Sequence, residues 1–318
     1  MLSPLIFWPW FAGFVILVTG LFAARKSFAA AEGLEKIIVF GPIFFSAPLA
    51  AFGAEHLSNS RAICQAVPLW MPARMFWTYF VGFALISAAA SIALRIHARI
   101  SAMLLGIMFI CFVLMIHIPN VAATPKDRIV WAVAFRDLAF AGGAFALAAT
   151  LMKPLRTLAI VLVAVPLLFF AVEHFLHPEF APGVPLPKVT PAWVPIRVFW
   201  GYLTGAGLLV SGATMLRYRR RARLAATLLG ALIALLVLFL YLPIFLTAAQ
   251  PALLEGINYV ADTLLFAGIV LLAAAIMPGV CQPTSSFPLT HSATRPADPA
   301  AKPAEPEYRT PPWRLARV

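Results

Sequence analysis

Charged residues are scarce in this chain of 318 residues, at 11%, whereas hydrophobic residues make up 62%. A soluble domain carries about 25% charged residues, so water is not the main solvent of this chain. The long apolar runs also lack the alternation of polar and apolar residues that a lipid-facing β-barrel requires. Both absences leave one class, a polytopic membrane protein made of helices.

Cysteine is also rare, with only Cys64, Cys111 and Cys281, and no C-x-x-C pair occurs. Thiol–disulfide exchange needs an attacking and a resolving thiol, and an iron–sulfur cluster needs several thiolates. The sequence therefore argues against a dithiol oxidoreductase and against a Cys-ligated cluster. It contains no Gly-rich phosphate loop, H-E-x-x-H pair or G-x-S-x-G elbow. Nucleotide chemistry of the soluble type thus has no support.

Nine apolar runs are long enough to cross a bilayer as helices, which takes about 20 residues. They lie at residues 4–24, 36–54, 77–95, 101–119, 129–151, 156–175, 198–216, 223–245 and 256–277. We predict an all-α polytopic membrane protein, with one leading helix followed by two parallel four-helix repeats. The predicted divisions are a leading helix and loop at 1–35, four-helix units at 36–153 and 154–278, and a disordered, Pro-rich cytoplasmic tail at 279–318.

The division into two units follows from a motif that recurs at a nearly constant spacing. Residues 68–82 read PLWMPARMFWTYFVG and residues 191–205 read PAWVPIRVFWGYLTG, 123 positions later. Upstream, a Glu-His pair at 55–56 returns 118 positions later at 173–174. A spacing that changes only by small loop insertions indicates a duplicated unit. Because four helices return the chain to the same side, the units should be related by an axis along the membrane normal.

The positions of Lys and Arg predict the orientation of the chain. Twelve lie in one set of predicted connections and six in the opposite set. Since cytoplasmic loops collect positive charge, we predict an outer N-terminus, a cytoplasmic C-terminus and a multi-pass protein of the cell membrane, in a bacterium the inner membrane. The first apolar run has no positive residue before it and Arg25-Lys26 after it, the reverse of a secretory signal peptide. The net charge of +12 fits anionic lipid rather than nucleic acid as the partner.

Ionisable side chains in the predicted spans share one depth, near the outer ends of the helices. Such groups are costly in hydrocarbon, usually face the bundle interior, and are functional candidates. We predict a ligand layer in the second unit, formed by Glu173, His174, Trp193, Arg197, Tyr202 and Asp262. Its counterparts in the first unit are Glu55, His56, Trp70, Arg74, Tyr79, Asp137 and His117. No metal site is predicted, and no residue is assigned a catalytic role.

A structural interpretation of the same residues stays open. The Trp side chains are also typical of the aromatic belt at a membrane interface. Within each unit we expect an ion pair, Glu55 with Arg74 and Glu173 with Arg197, because an unpaired carboxylate at reduced dielectric is costly.

The segment HFLHPEFAPGVPLPKVTPAW, residues 174–193, precedes a Gly-containing helix, an RRRAR turn and a Leu-Leu-Gly helix. This order resembles DoxX-like membrane proteins, which are four-helix bundles with a His-Phe motif ending the first helix and a Pro-rich outer loop. The resemblance covers residues 156–277 and, more weakly, 36–151, where His56 is followed by Leu-Ser-Asn rather than Phe-x-x-Pro. It implies a fused pair of DoxX-like units with one added helix. The family takes its name from a membrane subunit of a thiosulfate–quinone oxidoreductase.

Two functional hypotheses follow. In the first, the chain is a redox-linked membrane subunit with a membrane redox partner, and it binds a quinone near the outer leaflet. His174, Arg197 or Tyr202 would donate to the quinone carbonyls, and Glu173 would hold the accompanying proton. Haem ranks lower, because no helix carries two His residues at axial-ligand spacing. In the second hypothesis the chain is a transporter or a structural or assembly subunit without catalytic activity. Whether it is an enzyme stays open.

Overall fold

The structure is a computed structural model, and it describes residues 3–149, 153–183, 187–217, 221–249 and 252–278, except for the side chain of Lys153. The predicted tail at 279–318 and Cys281 lie outside these ranges. Within them the chain forms helices, and extended pairing is limited to one isolated bridge between Phe180 and Val189.

Nine helices in the described part of the chain are long and apolar enough to cross a membrane. They are α1 (Pro4–Ala30), α2 (Glu35–Ser58), α3 (Arg74–Leu94), α4 (Ala98–Ala123), α5 (Arg128–Ala148), α6 (Pro154–Leu176), α7 (Arg197–Leu216), α8 (Ala222–Thr247) and α9 (Leu253–Ile276). The predicted all-α, polytopic class is confirmed, and each predicted span overlaps one of these helices.

The helices α2 to α9 form a closed ring in which each packs on the next along the chain and α9 packs on α2. The helices α5 and α9 also touch across the middle of the ring. The contact between α5 and α9 therefore divides the large ring into two smaller rings that share these two helices. One also contains α2, α3 and α4, and the other also contains α6, α7 and α8. The fourth helix of each predicted unit packs on the first helix of the other, so the two units are interlocked rather than side by side.

The core of the bundle is the α5–α9 region, where small residues allow close approach. Helix α9 is buried along most of its length, with Leu265, Phe266 and Val270 fully shielded. The leading helix α1 packs chiefly on α2 and exposes large apolar side chains such as Phe14 and Phe22 on its other face. An apolar exterior of this kind is what a lipid solvent favours, since lipid tails are as apolar as these side chains.

Two local irregularities occur at equivalent places in the predicted units. The helices α3 and α7 each begin after a non-glycine residue in the left-handed region, Ala73 at φ 51° and Ile196 at φ 49°. The helices α4 and α8 each contain one π-helical segment, Val113–His117 and Val237–Tyr241. The pairs are 123 and 124 positions apart, which is the spacing of the sequence motif. Both irregularities are uncommon, and the duplication stays a prediction from the sequence.

The glycine that ends each motif allows two helices to meet closely. A Cβ atom on Gly82 of α3 would lie 3.0 Å from the Cβ of His56 on α2. A Cβ atom on Gly205 of α7 would lie 2.9 Å from the Cβ of His174 on α6. Only glycine leaves room for this approach, which brings the second helix of each unit against the histidine of the first.

Candidate functional site

The candidate site lies at one end of the bundle, which we call the motif end. It is the end at which the segments 68–82 and 191–205 lead into α3 and α7. Asp137 and Asp262 lie nine residues into α5 and α9, which is about 14 Å of helix from this end. His117 on α4 and the Glu-His pairs near the ends of α2 and α6 lie at similar or shallower depth. The predicted concentration of polar residues in one layer is thus present.

A charged network at the centre of this layer joins the two units. Arg136 on α5 donates from Nε to Asp137 Oδ1 at 3.1 Å and from Nη1 to Asp262 Oδ2 on α9 at 3.1 Å. His117 Nε2 lies 2.7 Å from Asp137 Oδ2. Both aspartates are almost completely buried. One guanidinium therefore neutralises carboxylates from both units, and breaking it would leave buried charge unpaired.

The predicted pair of Glu173 with Arg197 is wrong. Glu173 Oε2 accepts from Arg128 Nη1 at 2.6 Å, and Arg128 belongs to α5 of the first unit. Arg197 is exposed at the start of α7. The ring arrangement explains the difference: α6 packs directly on α5, so the first turn of α5 reaches Glu173 across the interface between the units.

The predicted pair of Glu55 with Arg74 is also wrong. Glu55 Oε1 lies 3.4 Å from Asn258 Nδ2 on α9. Arg74 donates instead to two carbonyls of the preceding loop, to Val67 O at 2.8 Å and to Cys64 O at 2.6 Å. The loop of the first unit surrounds this guanidinium, so the N–H groups of Arg74 are bonded to loop carbonyls rather than to the carboxylate of Glu55.

The tryptophans of the motif have a local structural role. Trp77 Nε1 donates to Pro72 O at 3.1 Å, and Trp200 Nε1 donates to Pro195 O at 3.1 Å. Each bond spans five residues and closes the left-handed turn that starts the helix. Proline supplies the acceptor while its ring fixes the backbone before the turn. The Pro-x-x-x-x-Trp part of the motif therefore stabilises the turn that begins the helix.

Several predicted site residues lie on the outside of the bundle. The two tryptophans expose more than half of their surface, 68% for Trp70 and 54% for Trp193. The two tyrosines expose over two fifths, 41% for Tyr79 and 45% for Tyr202. Tyr79 contacts Ser60, and Tyr202 stacks on Phe175. The second-unit layer predicted from the sequence thus separates into a buried group, Glu173, His174 and Asp262, and an exposed group, Trp193, Arg197 and Tyr202. Its role in binding a ligand stays a prediction.

The two histidines of the Glu-His pairs have the same local geometry. His56 Nδ1 lies 2.7 Å from Phe52 O, and His174 Nδ1 lies 2.7 Å from Phe170 O. A carbonyl only accepts, so Nδ1 carries the proton, and in the neutral ring Nε2 is a hydrogen-bond acceptor. In the second unit this acceptor is satisfied by the backbone N–H of Gly183, at 3.0 Å. In the first unit it has no hydrogen-bond partner among the described residues.

A cavity of about 910 Å³ lies in the first unit, chiefly between α3 and α4. Most of its wall is apolar, with Leu85, Leu105 and Met108 among the lining residues. Five polar side chains of the motif-end layer also line it: His56, His117, Arg136, Asp137 and Asp262. A mostly apolar cavity with a few convergent polar groups is the usual form of a small-molecule site.

The corresponding place in the second unit holds part of its own loop. Pro182 and Gly183 are buried there, and Tyr241 Oη donates to Pro182 O at 2.8 Å. Tyr241 is the repeat counterpart of His117, so the same positions that face the cavity in the first unit face backbone in the second.

Arg136, Arg128 and Asn258 contact the predicted residues but were not among them. Arg136 and Asn258 had a sequence signal, because a polar residue inside an apolar span requires a partner. Arg128 had no such signal, since its role depends on which helices are neighbours. Among the described residues, no three His, Cys, Asp or Glu side chains converge as a metal site.

Comparisons with protein-family models, with curated proteins and with solved structures found no match to this chain.

Proposed function

We propose that this chain is a DoxX-like membrane protein whose first unit binds a quinol-type amphiphile, as part of a redox-linked membrane subunit. In the proposal the polar head lies at the motif end, near the outer leaflet, and the apolar tail lies between α3 and α4. The observation that carries it is the 910 Å³ cavity, whose wall is mostly apolar and whose His, Arg and Asp side chains gather at one end.

The shape of the cavity supports an amphiphile. Its lining residues run along α4 from Ser101 to His117, which is about 24 Å of helix. The hydrocarbon core of a bilayer is about 30 Å thick. A molecule lying along this cavity therefore keeps its tail at hydrocarbon depth and its head in the polar layer.

The polar layer supports a head that donates hydrogen bonds. His56 lines the cavity and presents Nε2 as an acceptor. A quinol hydroxyl is a donor that suits it. The same histidine can receive the hydroxyl proton when the electrons of the quinol pass to the membrane redox partner.

The test is direct binding of decylubiquinol to the full-length protein in mild detergent, together with quantification of co-purified quinones. Ala84 lines the cavity and its neighbour Phe83 does not. Ala84→Phe should fill the cavity and weaken binding at least about tenfold. The matched control Phe83→Leu, on the exposed face of the same helix turn, should bind as the wild type does. Absence of quinol binding, or equal binding by both variants, would contradict the proposal.

A structural role is the second candidate, and the bridges between units favour it. Arg136–Asp262 and Arg128–Glu173 both join α5 to a helix of the other unit. If these pairs serve assembly alone, Ala84→Phe would leave every cellular phenotype unchanged, whereas disruption of a pair would lower the folded yield.

A further inference from the structure

The loops that follow the two histidines differ in length and in path. His56 and Arg74 are 18 positions apart, whereas His174 and Arg197 are 23 positions apart. The longer loop folds back on itself around the bridge between Phe180 and Val189. Ala181 N donates to Lys188 O at 2.7 Å on one side of that bridge. This fold-back carries the next two residues, Pro182 and Gly183, into the bundle.

One peptide group then makes both of the polar contacts in the second unit. The carbonyl of Pro182 accepts from Tyr241 Oη, and the N–H of the same peptide, from Gly183, donates to His174 Nε2. The position is tight, because a Cβ atom on Gly183 would lie 3.2 Å from Thr263 Cγ2. A single compact group, with one donor and one acceptor, is thus held inside a four-helix unit.

The first unit has the same positions without this peptide. The counterparts of His174 and Tyr241 are His56 and His117, and both line the cavity. The side chain of histidine is shorter than that of tyrosine, so the first unit offers more room at this level. Arg136 lines the same part of the cavity and supplies guanidinium N–H donors beside His117.

We propose that the Pro182–Gly183 peptide occupies in the second unit the place that a ligand head takes in the first. The ligand head is then a compact group that both donates and accepts, with its donor on His56 Nε2 and its acceptor towards the guanidinium of Arg136. A secondary amide has this chemistry, and so does a quinol hydroxyl. The inference rests on the proposed cavity function and specifies the head that the cavity recognises.

The test uses two labelled probes with the same tail, N-dodecylacetamide and dodecyl acetate, and the full-length protein. The ester lacks the N–H donor and is otherwise of similar shape. The amide should bind about tenfold more tightly than the ester, because the ester leaves the His56 acceptor unsatisfied. His56→Leu should abolish that preference, and His56→Gln, which restores an acceptor, should recover part of it. Phe83→Leu, outside the cavity, should keep the full preference.

The outcomes separate the two proposals. Equal binding of amide and ester to the wild-type protein, with decylubiquinol still bound, overturns the assignment of the head and leaves the cavity function standing. An amide preference without decylubiquinol binding supports the head assignment and overturns the quinol. Failure of all three molecules to bind overturns both proposals. Gel filtration and helical circular dichroism of each variant show that a lost preference is not a lost fold.

Discussion

The histidine of the Glu-His pair meets two different surroundings in the two units of this chain. In both units its Nδ1 atom bonds to the carbonyl one turn earlier at 2.7 Å. In the second unit its Nε2 atom is closed off by a loop peptide, whereas in the first unit it faces a cavity. The difference comes from five additional loop residues and from Tyr241 of α8, which donates to the loop carbonyl of Pro182 where the first unit has His117. Two four-helix units of one chain can thus have similar local geometry while one of them fills its interior with its own backbone.

The motif arginines also differ between the units, but here it is the first-unit residue that bonds to its loop. Arg74 is used by the first-unit loop, which wraps around its guanidinium, while Arg197 in the second unit is exposed. The short loop is held outside the bundle by Arg74, and the long loop is held inside by Tyr241 and His174. The path of the loop therefore decides whether this level of a unit holds loop backbone or opens onto a cavity.

The largest effect is expected from removing the charge shared by the two units. Arg136→Leu leaves the buried Asp137 and Asp262 without their guanidinium, so we expect a loss of about 3–5 kcal/mol in the free energy of unfolding. Unfolding by denaturing detergent, followed by circular dichroism, measures it. Arg61→Leu, an exposed arginine of the motif-end loop, is the matched control. Equal stability of the two variants would show that the network does not hold the units together.

The glutamates should respond unequally to the same change. Glu173→Gln removes the charge that faces Arg128 at 2.6 Å, and we expect a loss of about 1.5–3 kcal/mol for this charged bond. Glu55→Gln alters a longer contact, 3.4 Å to a neutral amide, so its cost should stay below about 1 kcal/mol. Thermal unfolding of the two single variants compares them directly. A larger cost at Glu55 would contradict the assigned partners.

The histidines separate stability from ligand binding. His174→Leu leaves the buried N–H of Gly183 without its acceptor, which should cost about 1–3 kcal/mol of stability. It should also speed hydrogen exchange at the Gly183 amide. His56→Leu should cost less stability and instead weaken decylubiquinol binding about tenfold. If both variants lose stability equally and neither alters binding, the two units do not differ as described.

The smallest loss of stability, and one that should be equal in the two units, is expected at the tryptophans that begin α3 and α7. Trp77→Phe and Trp200→Phe each remove one indole bond to a proline carbonyl at 3.1 Å. Each should cost about 0.5–1.5 kcal/mol, and the costs should add in the double variant because the sites are separate. Unfolding curves of the three variants provide the measurement. Clearly unequal costs would show that the two motifs are not equivalent.

Much of the fold could be predicted because it is encoded along the chain. Nine apolar runs gave nine helices in the part of the chain that the structure describes, and the depth of Glu55, Asp137 and Asp262 followed from their positions within those runs. The π-helical segments Val113–His117 and Val237–Tyr241 were not predicted. Helical rise and hydropathy are local properties, so a single sequence is sufficient to estimate them.

The partners of the buried charges could not be predicted in the same way. Glu173 and Arg128 are 45 positions apart, and Arg136 and Asp262 are 126 apart. Pairing by nearness in sequence joined Glu173 to Arg197, which is closer along the chain but lies on the outer surface of α7. The ring order of the helices, which places α5 between α6 and α9, decides these contacts.

The solvent, the number of spans and the layer in which polar groups collect follow from how apolar each stretch of chain is, so they can be predicted without a structure. The cavity in the first unit and the buried peptide in the second depend on how the helices are arranged. A loop enters a bundle only where its backbone finds partners. Tyr241 and His174 satisfy the Pro182–Gly183 peptide, and that match exists only once four helices have been brought together.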